Sequence, residues 1–112
     1  MSGALVGTPL YMAPEQAFGG EIGPATDLYA LGAILYECLS GTPPHKGADL
    51  VALLYAVQST TPAPLPDDVP KPLAELTTRL LIKDPNKRPA DATLVAEELE
   101  GIVAALGPKI RS

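Results

Sequence analysis

Only a few side chains in this sequence have types and spacings that suggest chemistry. The chain contains one histidine, His45, and one cysteine, Cys38, and neither belongs to a cluster with the spacing of metal ligands. We therefore expect no metal site, a solvent-facing His45, and a buried Cys38 thiol that has no second cysteine for an internal disulfide. Residues 7–15, GTPLYMAPE, combine hydroxyl groups and a carboxylate with loop-forming prolines, and they are the first candidate for a functional segment.

The charge balance restricts the possible partners. Thirteen acidic and eight basic residues give a net charge of −5, which argues against nucleic-acid binding. Three of the acids, Glu97, Glu98 and Glu100, indicate a solvated helix face. The most apolar run, residues 28–39, is too short to span a bilayer and contains Glu37. No signal-peptide pattern opens the chain, and we expect a cytoplasmic protein.

The hydrophobic pattern predicts an all-α fold, because no run of period-two alternation occurs. Helices are predicted over residues 26–40, 49–58, 72–83 and 91–106, after a loop with one helical turn in residues 7–18. In the longest helix we expect Thr26 to be the N-cap, Asp27 to complement the helix dipole and Gly41 to end it. This helix is apolar on nearly every side, so it is predicted to be buried among neighbours.

The later helices are predicted to be amphipathic. Glu75 and Arg79 lie one turn apart in the 72–83 helix and predict an exposed ion pair. Inward-facing positions are predicted at Val95, Leu99, Ile102, Val103 and Leu106 of the last helix. Five prolines exclude a helix or a central strand from the connection over residues 59–72.

Four stretches in this order resemble one family. They are GTPLYMAPE (7–15), TDLYALGAILYECLSGTPP (26–44), LLIKDPNKRP (80–89) and the closing amphipathic helix. Together they resemble the C-terminal half of the large, helical lobe of a bacterial-type Ser/Thr protein kinase. The resemblance implies that residues 1–112 form part of a protein-kinase domain, with one long buried helix and three to four shorter ones.

The resemblance also implies a substrate-binding loop. In the family, the segment that matches Thr8, Pro9, Leu10 and Tyr11 receives the substrate residue that follows the phosphorylated one. The Thr8 hydroxyl would point at the family's catalytic Asp and Lys. Thr8 together with Tyr11 resembles Ser/Thr kinases more than Tyr kinases.

Three further residues have structural roles in the family. Glu15 would form an ion pair with Arg88 and so anchor the substrate loop to the turn before the last helix. The alternative is that both are unrelated surface charges. The carboxylate matching Asp27 accepts backbone N–H groups of the catalytic loop in the family, although the helix dipole alone would also favour an acid there.

The sequence lacks the family's catalytic motifs. It contains no G-x-G-x-x-G, V-A-I-K, H-R-D-x-x-x-x-N or D-F-G, and residues 17–19, AFG, lack the metal-binding Asp. We therefore expect the chain alone to be inactive and to bind neither cofactor, whereas ATP and Mg²⁺ would belong to the intact kinase. We also expect Met1 to mark a truncated or misplaced start.

Three interpretations of the chain's role follow from the resemblance. The first is a fragment of a Ser/Thr kinase that supplies the substrate-side scaffold, with a protein substrate or the missing kinase half as partner. The second is a non-catalytic helical module that binds other proteins. The third is a split kinase. In the isolated chain the helix over residues 28–39 is expected to expose an apolar patch that upstream elements cover in the intact lobe, so we expect the chain to self-associate, to bind a partner through this patch or to be loosely packed.

Overall fold

The structure is a computed structural model that describes residues 9–17 and 19–106. Within these ranges the chain forms short 3₁₀ turns at Pro9–Tyr11 and Pro85–Lys87. The α-helices are α1 (Pro14–Ala17), α2 (Pro24–Ser40), α3 (Leu50–Ser59), α4 (Lys71–Leu80) and α5 (Ala92–Leu106). The predicted all-α class is confirmed, since no strand occurs in the described part of the chain.

Helix α2 begins two residues earlier than the sequence indicated. Its N-cap is Gly23, which has an extended backbone, and Pro24 occupies the first turn, where proline lacks only an N–H that would have no helical partner. Thr26 is therefore not the N-cap; its hydroxyl accepts the Gly23 N–H from inside the first turn, at 3.2 Å. At the other end Gly41 has a φ of 87°, the left-handed conformation that glycine adopts without strain.

The core packs against α2 in two clusters, which leave the face with Asp27, Ile34 and Cys38 exposed, so the helix is not buried on every side as predicted. Leu28 packs with side chains of α4 and α5, namely Leu76, Leu80, Val95 and Ile102. Tyr29, Ala33 and Tyr36 pack with Ala13 and Leu81. Helices α2 and α4 approach closely, because a Cβ built on Gly32 would lie 2.6 Å from the Leu80 Cβ.

The three later helices differ slightly from the predicted bounds. Asp49 and Asp91 each accept a backbone N–H of the following helix, from Ala52 and Leu94, so α3 and α5 start one residue late. Helix α4 starts one residue early and ends at Leu80 instead of residue 83. Residues 81–83 lie outside the helix, and the carbonyl groups of Ile82 and Lys83 accept hydrogen bonds from the Arg88 side chain.

Several predicted exposures are wrong. Cys38 is exposed instead of buried, whereas His45 is buried and its Nδ1 lies 3.1 Å from the Thr60 hydroxyl. Val103 is exposed. Arg79 bonds Glu98 of α5, so it joins two helices rather than pairing with Glu75.

None of the helices in residues 9–17 and 19–106 is both long and apolar enough to cross a membrane.

Candidate functional site

The loop that precedes α1 is attached to α2 by one tyrosine. Pro9, Leu10 and Tyr11 form the first 3₁₀ turn; Thr8 lies outside the described residues. The Tyr11 hydroxyl donates to Glu37 Oε1 at 2.5 Å. This bond, with a smaller contribution from burial, raises the pKa of Tyr11. The sequence indicates Glu37 only as a charge within an apolar run and does not predict this bond.

The structure brings Glu15 and Arg88 together. The two guanidinium nitrogens Nη1 and Nη2 donate to Oε2 and Oε1 of the carboxylate, at 2.8 and 2.9 Å. Both residues are buried, with 6% and 5% of their surface exposed. A bidentate pair of this kind fixes the relative orientation of its partners as well as their distance. It therefore joins the start of α1 to the turn before α5, across 73 residues of sequence.

The rest of the Arg88 guanidinium binds backbone carbonyls. Nε donates to Ile82 at 2.6 Å, Nη1 to Ala25 at 2.8 Å and Nη2 to Lys83 at 3.0 Å. With the two bonds to the carboxylate, these use all five N–H groups that an arginine offers. The guanidinium carbon also lies 4.9 Å from the centroid of the Tyr29 ring. Arg88 thus holds the segment after α4, the first turn of α2 and α1 in one arrangement.

The carboxylate of Glu15 has a second donor. Thr26 donates its hydroxyl to Oε2 at 2.7 Å, so Thr26 links the α2 N-cap to the ion pair. Burial by itself would raise the pKa of Glu15, but the hydrogen bonds from Arg88 and Thr26 outweigh it and the pKa is lowered. The sequence indicated Thr26 only as a cap; its spacing from Glu15 carries no signal for this bond.

Asp27 lies at a different place from this buried network. It is exposed in the first turn of α2, where the helix dipole favours a negative charge. The structure therefore brings together Glu15 and Arg88 of the predicted structural residues, and it leaves Asp27 facing outward.

The geometry of this site is suited to holding segments of the chain in fixed positions. Among the residues that the structure describes, no three His, Cys, Asp or Glu side chains form a group that could hold a metal ion. What the site provides is a rigid link from the loop at Pro9–Tyr11, through α1 and α2, to the turn before α5. Such a link can fix the shape of a surface that another molecule contacts.

Comparison with known proteins identifies related sequences. The family model described as protein kinase domain matches residues 2–99. The chain is 42% identical over 99 residues to the DNA damage-responsive serine/threonine-protein kinase RqkA of Deinococcus radiodurans, an alignment covering 85% of this chain and 15% of that protein. It is 35% identical over 107 residues to the serine/threonine-protein kinase PknA of Mycobacterium tuberculosis, covering 96% of this chain and 25% of that protein.

A similar match extends to an animal protein. The chain is 36% identical over 93 residues to 3-phosphoinositide-dependent protein kinase 1 of Caenorhabditis elegans, covering 83% of this chain and 14% of that protein. The chain thus spans between 14% and 25% of the length of these relatives.

Proposed function

The chain belongs to the protein kinase domain family, and from this premise we propose that it is the substrate-side scaffold of a Ser/Thr protein kinase. The intact protein would transfer the γ-phosphate of ATP to Ser or Thr residues of protein substrates. The proposed contribution of this segment is to hold the substrate loop in its working shape. Phosphoryl transfer depends mainly on positioning and electrostatic stabilisation, so a rigid scaffold can affect the rate without touching phosphate.

The buried Glu15–Arg88 pair is the observation that carries this proposal. It fixes α1, which directly follows the loop, to the backbone of α2 and of the segment after α4. The loop is fixed at a second point by the bond from Tyr11 to Glu37. We infer that Thr8, Pro9, Leu10 and Tyr11 form the shelf that receives the substrate residue after the phosphorylated one.

The family implies ATP and Mg²⁺ for the intact kinase. Among the residues that the structure describes, no three metal-ligating side chains form a group that could hold Mg²⁺, and the sequence contains none of the family's ATP-binding motifs. The expected location is the cytoplasm, where ATP is present and a single exposed Cys38 remains reduced.

The proposed partner within a kinase is the half that carries the ATP site. One side of α2 is open to receive it: Asp27, Ile34 and Cys38 lie on the same helical face and are exposed. The same face supports the second candidate function, a non-catalytic module that binds another protein or a second copy through an apolar helix. Ile34, of which 46% is exposed, favours this alternative.

A fusion protein tests the proposal. Residues 1–112 would be joined to the part of PknA that precedes its matching segment, and transfer of labelled γ-phosphate to Ser and Thr of an acceptor protein would be measured. We expect transfer by the fusion and none by the 112-residue chain alone. In the fusion, Arg88→Met should lower the rate by about 10- to 100-fold, because a small displacement of substrate has effects of this size.

The matched control is Arg79→Met, which removes an exposed arginine and should leave the rate unchanged. A fusion that folds cooperatively but transfers no phosphate would contradict the scaffold proposal and favour the interaction module. Transfer by the isolated chain would contradict both.

A further inference from the structure

An apolar groove lies between α4 and the proline-rich connection that follows α3. Its volume is about 450 Å³, within the range of small-molecule sites. Tyr36, Pro62, Leu65, Leu81 and Ile82 supply much of its apolar lining. The groove lies on a different side of α2 from its exposed face, because Tyr36, which lines the groove, is two residues from exposed Ile34 and so projects from the opposite side of the helix.

The walls of the groove are fixed in place. The Tyr36 hydroxyl donates to the Ala63 carbonyl at 2.6 Å and holds the connection at its middle, and the prolines on either side restrict the backbone. On the opposite wall, Arg88 binds the carbonyls of Ile82 and Lys83, whose residues line the groove. A preformed site binds with a smaller loss of entropy than one that must be ordered first.

Among the residues that line this groove, Lys83 is the one with a charged side chain. Lys83 Nζ donates to the Val57 carbonyl at 2.6 Å, which leaves two of its three N–H groups for other acceptors. In the described residues the ion pairs are those of Arg88 and Arg79, so Lys83 has no carboxylate partner there. Nearby His45 is neutral at pH 7, since burial, and to a smaller degree Lys83, lowers its pKa to about 4.

The groove continues along α4 toward more basic residues. Pro64, Leu65 and Thr78 belong to both parts, and beyond them the lining includes Lys71, Glu75 and Arg79. Three of the eight Lys and Arg residues of the chain thus line the groove, compared with one of its thirteen Asp and Glu residues. Arg79 is paired with Glu98, so the groove cations without a carboxylate partner among the described residues are Lys71 and Lys83, a small local excess of positive charge on a protein with a net charge of −5.

We propose that this groove binds a small free monocarboxylate with an elongated apolar body, with the carboxylate at Lys83 and the body along the apolar lining. A carboxylate would accept from the two ammonium N–H groups that are not bonded to Val57, and a charge-assisted bond in a partly desolvated place is stronger than a neutral one. The apolar body would remove the lining from water. This proposal does not depend on the kinase scaffold function.

Titration calorimetry of the full 112-residue chain tests this proposal, with decanoate as the probe. We expect saturable binding of decanoate and binding about tenfold weaker for decanol, which has the same body without the charge. Lys83→Met keeps a similar stem and removes the ammonium, so it should reduce decanoate affinity to that of decanol. Lys46→Met, at an exposed position that does not line the groove, is the matched control and should bind as the parent does.

A second variant keeps the test informative if loss of Lys83 disturbs folding. Thr78 is exposed on α4 and lines both parts of the groove, so Thr78→Leu fills the groove without disturbing the core. It should abolish decanoate binding. Equal affinity for decanoate and decanol, no binding by the parent, or unchanged binding by Thr78→Leu would each overturn the proposal. So would a parent dimer that Thr78→Leu converts to a monomer in sedimentation, since a second copy would then be the occupant.

Discussion

Two arginine–carboxylate pairs of this protein occupy opposite environments. In the Glu15–Arg88 pair the side chains are 7% and 0% exposed, and the guanidinium also binds three backbone carbonyls. In the Arg79–Glu98 pair the side chains are 45% and 37% exposed, and one nitrogen contacts one oxygen. The chemical groups are the same, but burial and the number of bonds differ.

This difference determines what each pair contributes. An exposed pair gains little, because water and salt screen both charges whether or not they meet. A buried pair adds little net stability, because the attraction between the charges is offset by the cost of removing them from water. Removing one partner is nevertheless strongly destabilising, since the other charge stays buried without compensation. The buried pair also connects segments 73 residues apart, whereas the exposed pair connects neighbouring helices.

The largest expected effect is that of removing the buried cation. Arg88→Met should lower the free energy of unfolding of the 112-residue chain by about 3–5 kcal/mol, because Glu15 would remain buried without its partner. This is a large part of the stability of a small domain. The measurement is urea unfolding followed by circular dichroism.

A double variant separates the lost charge from the lost packing. Glu15→Gln combined with Arg88→Met leaves no buried charge at this place, so it should be no less stable than Arg88→Met alone. If the double variant were less stable by the full sum of the two single effects, the two residues would be acting independently and the described coupling would be wrong.

The family resemblance and hydrophobic periodicity together predicted much of this arrangement. The helical class follows from apolar spacing, and the proximity of Glu15 and Arg88 follows from the family's motifs and not from the spacing of these residues. The roles of single residues at helix ends were predicted less well. The residue at Thr26 resembles an N-cap, but Pro24 at the first helical turn moves the cap to Gly23 and frees the hydroxyl for Glu15.

Burial of single polar residues was the least predictable feature. Composition favours a solvent-facing His45 and a buried Cys38, and the structure has the reverse. His45 is buried because the loop after α2 folds back onto the C-terminus of α3, where Thr60 meets its ring. The fold that brings residues 45 and 60 together depends on loops, and loops carry no periodic signal.

Lowering the pH is expected to have the second-largest effect on the free energy of unfolding. The pKa of His45 is about 4 in the folded chain and 6.5 in the unfolded one. The unfolded chain therefore binds the extra proton between these values, so the contribution of neutral His45 to stability is complete above pH 6.5 and is lost toward pH 4, on the order of 1–3 kcal/mol after screening by solvent. The pKa of Glu15 is lowered from 4.5, so a further loss follows as pH drops below that value.

Urea unfolding at a series of pH values measures this loss. Because His45 is the single histidine of the chain, His45→Gln should flatten the stability profile between pH 6.5 and pH 5. Glu15→Gln should leave that part of the profile in place and remove part of the loss below pH 4.5. Parallel profiles for the parent and His45→Gln would show that the imidazole is not buried in its neutral form.

The smallest expected effect belongs to the exposed pair. Arg79→Met should change the free energy of unfolding by less than about 1 kcal/mol, and 1 M salt should reduce the difference further, because both side chains are screened by water. Glu75→Gln is the matched control for the intrahelical pair that the sequence predicted; since Arg79 bonds Glu98 instead, it should have no measurable effect. If Arg79→Met were as destabilising as Arg88→Met, exposure would not be what distinguishes the two pairs, and the role assigned to the buried one would lose its physical basis.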